Sequence, residues 1–302
     1  MSKIGIFNWH RLFKTDKFYL LVCASSLFVL IILFAITVFL LFSAMPALES
    51  SQTGLLGISW YKSSEANNIL DFCLPLVFST ILSSLLALVI ALPVSIGVAL
   101  FITFYAPPKL AAIASWVIDI LASIPSIVYG LWGIFVLCPF LNVFTGNLIS
   151  SPPRVLFTLS IVLAVMIIPI ITSIIRDIYT GTPHLDIEAA YGLGATKWEM
   201  IRLSVLPYGA QGAMSAAMLG LGRALGETMA VLIILSPGRS YSFNIFGVSS
   251  HQTIAGNIAA QFPEANSLGV SLLTVTGLVL FIITFLVNWA AKKIAKSGVA
   301  NV

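Results

Sequence analysis

Residues 18–42 contain no charged side chain, and a run of that length crosses a bilayer as one α-helix. Nothing constrains the chain more, because runs of the same kind recur along its whole length. Inside hydrocarbon, backbone N–H and C=O groups find no water, so only helices and closed barrels are stable there. Barrel strands are about ten residues long and alternate in hydrophobicity, whereas these runs are continuous. The sequence therefore predicts an all-α integral membrane protein. Charged residues make up only 9% of the 302, against roughly 25% in chains that must cover a water-facing surface.

Apolar length and flanking polarity predict about six spans, over 18–42, 74–104, 110–137, 155–175, 211–235 and 268–291. Pro93 is a predicted kink in the second, and only Pro107-Pro108-Lys109 separates the second from the third. The flank of Lys3, Arg11, Lys14 and Lys17 resembles that of a signal peptide. A signal core is about 7–15 residues, so 18–42 is expected to remain as a transmembrane helix. Basic residues set orientation. With the N-terminus inside, eleven Lys and Arg fall in inner segments and three (Lys62, Arg154, Arg239) in outer ones, while Arg223 is left within the bilayer. Residues 1–17 and 292–302 then form cytoplasmic ends of a domain spanning 18–291. The polar island 181–207 lies inside as well, between spans four and five. No internal repeat is evident, so a pathway is expected between two such subunits rather than within one.

That island is the only long polar interruption. Asp186 and Glu188 precede a predicted helix over 187–192, where acidic side chains suit the helix dipole. Gly192 and Gly194 permit a sharp turn. Thr196 and Glu199 have the spacing of a capping box, and Pro207 sits where a helix start tolerates it. The pattern predicts a helix–turn–helix docking element, carrying Lys197 on its second arm, along the inner surface.

In span five, Arg223 and Glu227 are one helical turn apart and are expected to share a face and pair. At about 1.5 Å per residue, Arg223 lies some 18 Å from Gln211, near the bilayer centre. A charge there is a functional signal unless paired or wet, and a guanidinium fork suits phosphate-like oxyanions. Gly220, Gly222 and Gly226 would let another backbone approach. In span three, Asp119, Ser123, Ser126 and Gly130 form one stripe at helical spacing. It lines a pathway beside Arg223 or makes a close helix contact. In the outer segment, Ile254, Ile258 and Phe262 recur at helical spacing and predict a short amphipathic helix, either packed on the bundle or docking an external partner. The three cysteines and three histidines are scattered, and no metal site is expected.

The stretch Glu188-Ala189-Ala190, then Gly194, then Leu206-Pro207 resembles the EAA motif of ABC-importer permeases. In that family the motif forms a coupling helix that inserts into a groove on an ATPase subunit. The resemblance thereby implies coupling roles for Asp186, Glu188, Ala189, Ala190, Gly194 and Lys197. Ser204 stands where the family usually has an apolar residue. Residues 122–133 (ASIPSIVYGLWG) and 221–231 (LGRALGETMAV) are similar to permeases of phosphate-specific (Pst) importers. Met229-Ala230-Val231 favours one of that system's two permease types over its PstA-type sister. The resemblance covers about 75–290. It implies a type I, MetI-like permease fold in the inner membrane and import of inorganic phosphate. Arg223, Glu227, Asp119, Ser123 and Ser126 would line the substrate pathway. The implied partners are a PstA-like permease in a heterodimer, two copies of a PstB-like ATPase and a PstS-like phosphate-binding protein.

No P-loop Gly-x-x-x-x-Gly-Lys-Ser/Thr occurs, so ATP and Mg²⁺ belong to the partner ATPase and this chain is not expected to be an enzyme. The competing readings are a permease for sulfate or molybdate, and a secondary anion transporter driven by a proton or sodium gradient. An intramembrane enzyme would need paired aspartates, a Ser/His dyad or a HExxH site, none of which is present.

Overall fold

The computed structural model describes residues 17–52, 69–145, 154–235, 245–246 and 251–299. Of the expected cytoplasmic ends 1–17 and 292–302, residues 1–16 and 300–302 lie outside the described residues, as do the outer cations Lys62 and Arg239. Every element among the described residues is helical. In order they are α1 (Lys17–Gln52), α2 (Ile69–Leu100), α3 (Pro108–Ser123), α4 (Ser126–Trp132), α5 (Cys138–Thr145), α6 (Leu156–Thr180), α7 (His184–Gly192), α8 (Lys197–Met200), α9 (Leu206–Leu225), α10 (Met229–Ile234), α11 (Ile254–Gln261) and α12 (Ser267–Val299).

Five helical stretches among the described residues are long and apolar enough to cross a membrane: Leu20–Glu49, Ile69–Tyr105, Ser126–Val143, Leu156–Thr180 and Ser267–Lys293. The expected single helices over 110–137 and 211–235 are both broken. The first breaks because a residue preceding proline is driven out of the helical region, and Ile124 adopts φ −64°, ψ 131° ahead of Pro125. Proline also lacks the N–H that would bond the Leu121 carbonyl. The Tyr129 hydroxyl donates to that carbonyl instead, at 2.8 Å. The second break falls at Gly226, Glu227 and Thr228, between α9 and α10.

Three helix junctions share one device. A π-helical turn occupies Phe101–Tyr105, Gly133–Leu137 and Ile201–Val205, and Pro107, Pro139 and Pro207 each follow two residues later. In each, the residue before the proline donates five residues back: Ala106 to Phe101, Cys138 to Gly133 and Leu206 to Ile201. The wide turn makes room for a ring that would otherwise clash with the carbonyl four residues earlier. Pro93 and Pro169 are passed inside α2 and α6 without one.

The core is built on α6. Leu159, Val162, Leu163, Met166, Ile167, Ile171 and Ile175 are fully buried or nearly so. Against them α2 lays a four-residue ladder of small side chains, Ala87, Ala91, Ser95 and Ala99, all buried, with Ser95 donating to the Ile168 carbonyl at 3.3 Å. Small residues let membrane helices approach closely, which maximises dispersion where there is no water to expel. On the other side α9 packs through Gly209, Gly212 and Gly220. A Cβ at Gly220 would stand 2.6 Å from Ile171 Cδ1. A second cluster joins Ala44 and Ala47 of α1, Phe72, Cys73 and Leu76 of α2, Ile254, and Leu272 and Val275 of α12. Most of α1 beyond that cluster exposes large apolar side chains, as a helix bathed in lipid would.

The expected short outer helix exists as α11 and is packed on the bundle, with its polar side covered as well as its apolar one. Ile254 is buried and Ile258 packs on the second cluster, while Asn257 and Gln261 on its polar side are buried too. Phe262 starts a 3-10 turn and is exposed. The helix is held by the Ile254 N–H, which donates to Thr80 Oγ1 at 2.9 Å, and by Thr253, whose hydroxyl caps it.

Candidate functional site

The polar island folds as a hairpin. Its first arm, α7, begins at His184 directly after Pro183, three residues earlier than the acidic pattern suggested. Gly194 then takes φ +85°, and no non-glycine among the described residues has positive φ. A Cβ there would meet nothing within 4 Å, so glycine is required by the backbone turn rather than by space. Thr196 opens the second arm with the expected capping box. The Glu199 N–H donates to Thr196 Oγ1, and Thr196 N–H donates to Glu199 Oε2 at 2.7 Å. From Lys197 the chain stays helical through α8, the π-turn Ile201–Val205 and α9 as far as Leu225. The hairpin's second arm is therefore the beginning of the helix that carries Arg223.

The hairpin has two faces. Inward, Ala190, Met200, Ile201 and Val205 are buried in the same cluster as Ile175 and Tyr179 of α6. Outward, Leu185 and Leu193 are 77% and 90% exposed, with Tyr191, Trp198, Asp186, Glu188 and Ala189 beside them. Of the expected docking residues, Asp186, Glu188, Ala189, Gly194 and Lys197 are exposed. Ala190 is not: it faces the core. Lys197 is partly engaged, its Nζ standing 4.7 Å above the Tyr105 ring. Ser204 explains its own departure from the motif, since its hydroxyl donates to the Asp186 carbonyl at 3.2 Å and ties the two arms together.

The expected Arg223–Glu227 pair is not formed. Helix α9 ends at Gly226 (φ −90°, ψ 2°), so the spacing of four no longer places the two on one face. Glu227 is buried, and its Oε1 accepts from the Ala230 N–H at 3.1 Å, at the start of α10. Arg154 steadies the other end of that short helix by donating to the Ile233 carbonyl at 2.9 Å. Arg223 points instead into an open cavity of about 910 Å³ between α6, α9 and α12. Among the described residues no carboxylate lies within ion-pair distance of it; the ion pairs there belong to Arg176, with Asp119 at 3.5 Å and Asp177 at 3.0 Å.

The expected stripe of span three is split by the break at Pro125. Asp119 faces Arg176 of α6 rather than Arg223. Ser123 closes α3, its hydroxyl donating to the Ile120 carbonyl. Ser126 opens α4 and is half-buried. Gly130 is a close helix contact, since a Cβ there would lie 3.0 Å from Ala230 Cα of α10. The span-five glycines divide likewise. Gly220 packs on α6, whereas Gly222 lines the cavity with nothing within 4 Å. Sequence reasoning missed the residues across the cavity from α9, Asn288 and Lys292, whose spacing of four on α12 was the available signal.

Residues 91–297 match the family model of the binding-protein-dependent transport system inner membrane component. The chain belongs to this family. It is 42% identical to the phosphate transport system permease protein PstC 2 of Mycobacterium tuberculosis, over 94% of this chain and 91% of that one. It is 37% identical to PstC of Mesorhizobium japonicum, over 87% and 84%, and 41% identical to PstC of Xylella fastidiosa, over 91% and 88%. Among solved structures, the inward-facing methionine ABC transporter MetNI matches with a TM-score of 0.59 at 19% identity, covering 75% of this chain and 95% of that one. A bacterial alginate ABC importer matches with 0.58 at 14% identity, covering 93% and 99%. The fold is thus that of ABC-importer permeases. With its apolar helices and this family membership, the chain is a multi-pass inner-membrane component.

Proposed function

We propose that this chain is a translocation subunit of an ATP-driven importer of inorganic phosphate. The observation that carries the reading is mechanical: one helical path runs from the capped hairpin through Ile201–Val205 into α9 and on to Arg223. A force applied at the exposed hairpin face reaches the cavity without crossing a loop. Arg223 supplies positive charge and forked donors there. Close relatives named as phosphate transport permeases favour phosphate as the cargo.

On this reading the hairpin seats in a partner ATPase of the PstB type, working as a dimer, which alone binds ATP and Mg²⁺. Asp186, Glu188, Ala189, Gly194 and Lys197 provide the contact surface, with the exposed Leu185, Leu193 and Trp198 as its apolar anchors. A sister permease of the PstA type completes the pathway around Arg223, and an external phosphate-binding protein of the PstS type delivers the anion. The topology has both termini inside. The broken pair α9–α10 then supplies a sixth crossing beside the five unbroken ones, and the hairpin faces the cytoplasm. Arg223 holds the anion, and movement of α9 exposes it alternately to either side.

The test is uptake into liposomes that contain the assembled complex, with ATP inside and loaded binding protein outside. Phosphate uptake should require ATP, and Arg223→Gln should lower it by roughly a hundredfold or more while assembly is unchanged, as expected for an unreplaced charge-assisted contact. Uptake without ATP would reveal a gradient-driven transporter instead. Preferential uptake of sulfate or molybdate over phosphate would move the chain to another oxyanion.

A further inference from the structure

The cavity that holds Arg223 has a second cation at its other end, and we propose that Lys292 forms a release-side oxyanion subsite with Asn288 and Gln211. The proposal rests on the transport reading above. Gln211 and Arg223 line the same cavity, twelve residues and about 18 Å apart along α9 at 1.5 Å per residue. One tetrahedral oxyanion is far too small to touch both ends, so the cavity offers two stations. From the facing helix, α12 presents Asn288 and Lys292, one turn apart, to the same cavity, and on the topology proposed above Lys292 and Gln211 both lie toward its inner side. Lys292, Asn288 and Gln211 contribute an ammonium and two side-chain amides to that lining, all of them N–H donors. Among the described residues no carboxylate lines the cavity, so none of them repels an anion travelling from Arg223.

The neighbouring lysine shows that this arrangement is specific to one helix face. Lys293 is turned away from the cavity, with its Nζ 5.4 Å from the Trp289 ring. Both lysines carry the same charge at the same inner end of α12, and both would serve equally as topology anchors. Only Lys292 is placed to meet the cargo. An anion leaving Arg223 exchanges one fixed charge for another rather than for none, and that lowers the barrier to release toward the cytoplasm.

The experiment uses the assembled complex in liposomes, comparing Lys292→Gln, Lys293→Gln and Lys292→Arg at equal reconstituted amounts. Lys292→Gln should reduce the maximal rate of phosphate uptake by roughly tenfold, with a loss that shrinks as internal salt is raised and screens the subsite. The external phosphate concentration for half-maximal uptake should be unchanged, because entry does not involve Lys292. Lys292→Arg should restore the rate, and Lys293→Gln should match the parent. Equal effects of the two glutamine variants would overturn the subsite and leave both lysines as anchors, as would an unaltered rate in Lys292→Gln. Asn288→Leu, which changes no charge, should also slow uptake, and a parental rate there would remove Asn288 from the site. If the parent complex itself does not import phosphate, the transport reading fails rather than the subsite, and the same variants are then measured with whichever oxyanion the complex carries.

Discussion

Glu199 shows how much one side chain holds in the hairpin. Its carboxylate accepts from the Thr196 N–H and then from the Thr196 hydroxyl, which keeps its pKa below the usual range. A carboxyl held low in the fold stabilises it at every pH above the ordinary value, and that contribution disappears as pH falls through the lowered value. Protection of the 196–200 amides against hydrogen exchange, relative to their intrinsic rates at each pH, should therefore hold at neutral pH and fall below the carboxylate range. In Glu199→Gln the protection should no longer follow pH there. Thr196→Ala, which removes the cap outright, should cost the hairpin about 1 kcal/mol. This capping pair was legible because a spacing of three needs nothing but a helix start. The Arg223–Glu227 pair was misread for the opposite reason. A spacing of four means a shared face only while the helix continues, and Gly226 ends it. The stripe drawn from Asp119 through Pro125 is broken in the same way, and Asp119 pairs with Arg176.

At the scale of the elements, the helices facing α6 are graded by the size of their side chains. Gly220 and Gly222 are two residues apart, yet only the first touches α6. A valine at 220 would drive its branches into Ile171, which has no exposed side to yield toward. Gly220→Val should destabilise the bundle by about 1–3 kcal/mol, seen as a lowered apparent melting temperature and loss of a monodisperse peak. Gly222→Val should keep both and slow transport, because its side chain would enter the cavity. The long apolar helices were legible from run length alone. The wide turns were not. Prolines occur both after π-turns and inside ordinary helix, so Pro139 and Pro207 look no different in sequence from Pro93 and Pro169. What distinguishes them is the packing at their junctions, which exists only once the helices have met.

At the scale of the molecule, the all-helical membrane architecture was readable because hydrocarbon admits so few solutions, although five unbroken spans are found among the described residues where six were expected. The division into two clusters was not, since it depends on which faces of equally apolar helices meet. The cluster built on α6 does not treat the hairpin as an appendage. Ala190, Met200, Ile201 and Val205 belong to the same buried set as Leu163, Ile167 and Ile171. The hairpin therefore has no fold of its own that can melt while the membrane core stays intact. Thermodynamic linkage then makes a partner that grips the hairpin a stabilising ligand of the whole bundle. At about a hundred times its dissociation constant, such a partner adds about 2.7 kcal/mol to unfolding. The apparent melting temperature of tryptophans far from the hairpin should rise with the concentration of nucleotide-bound ATPase, and a peptide of residues 181–207 should compete poorly for that partner. A subunit left without its ATPase would then be the less durable form in the membrane, so supply of the partner would set how much of this chain persists.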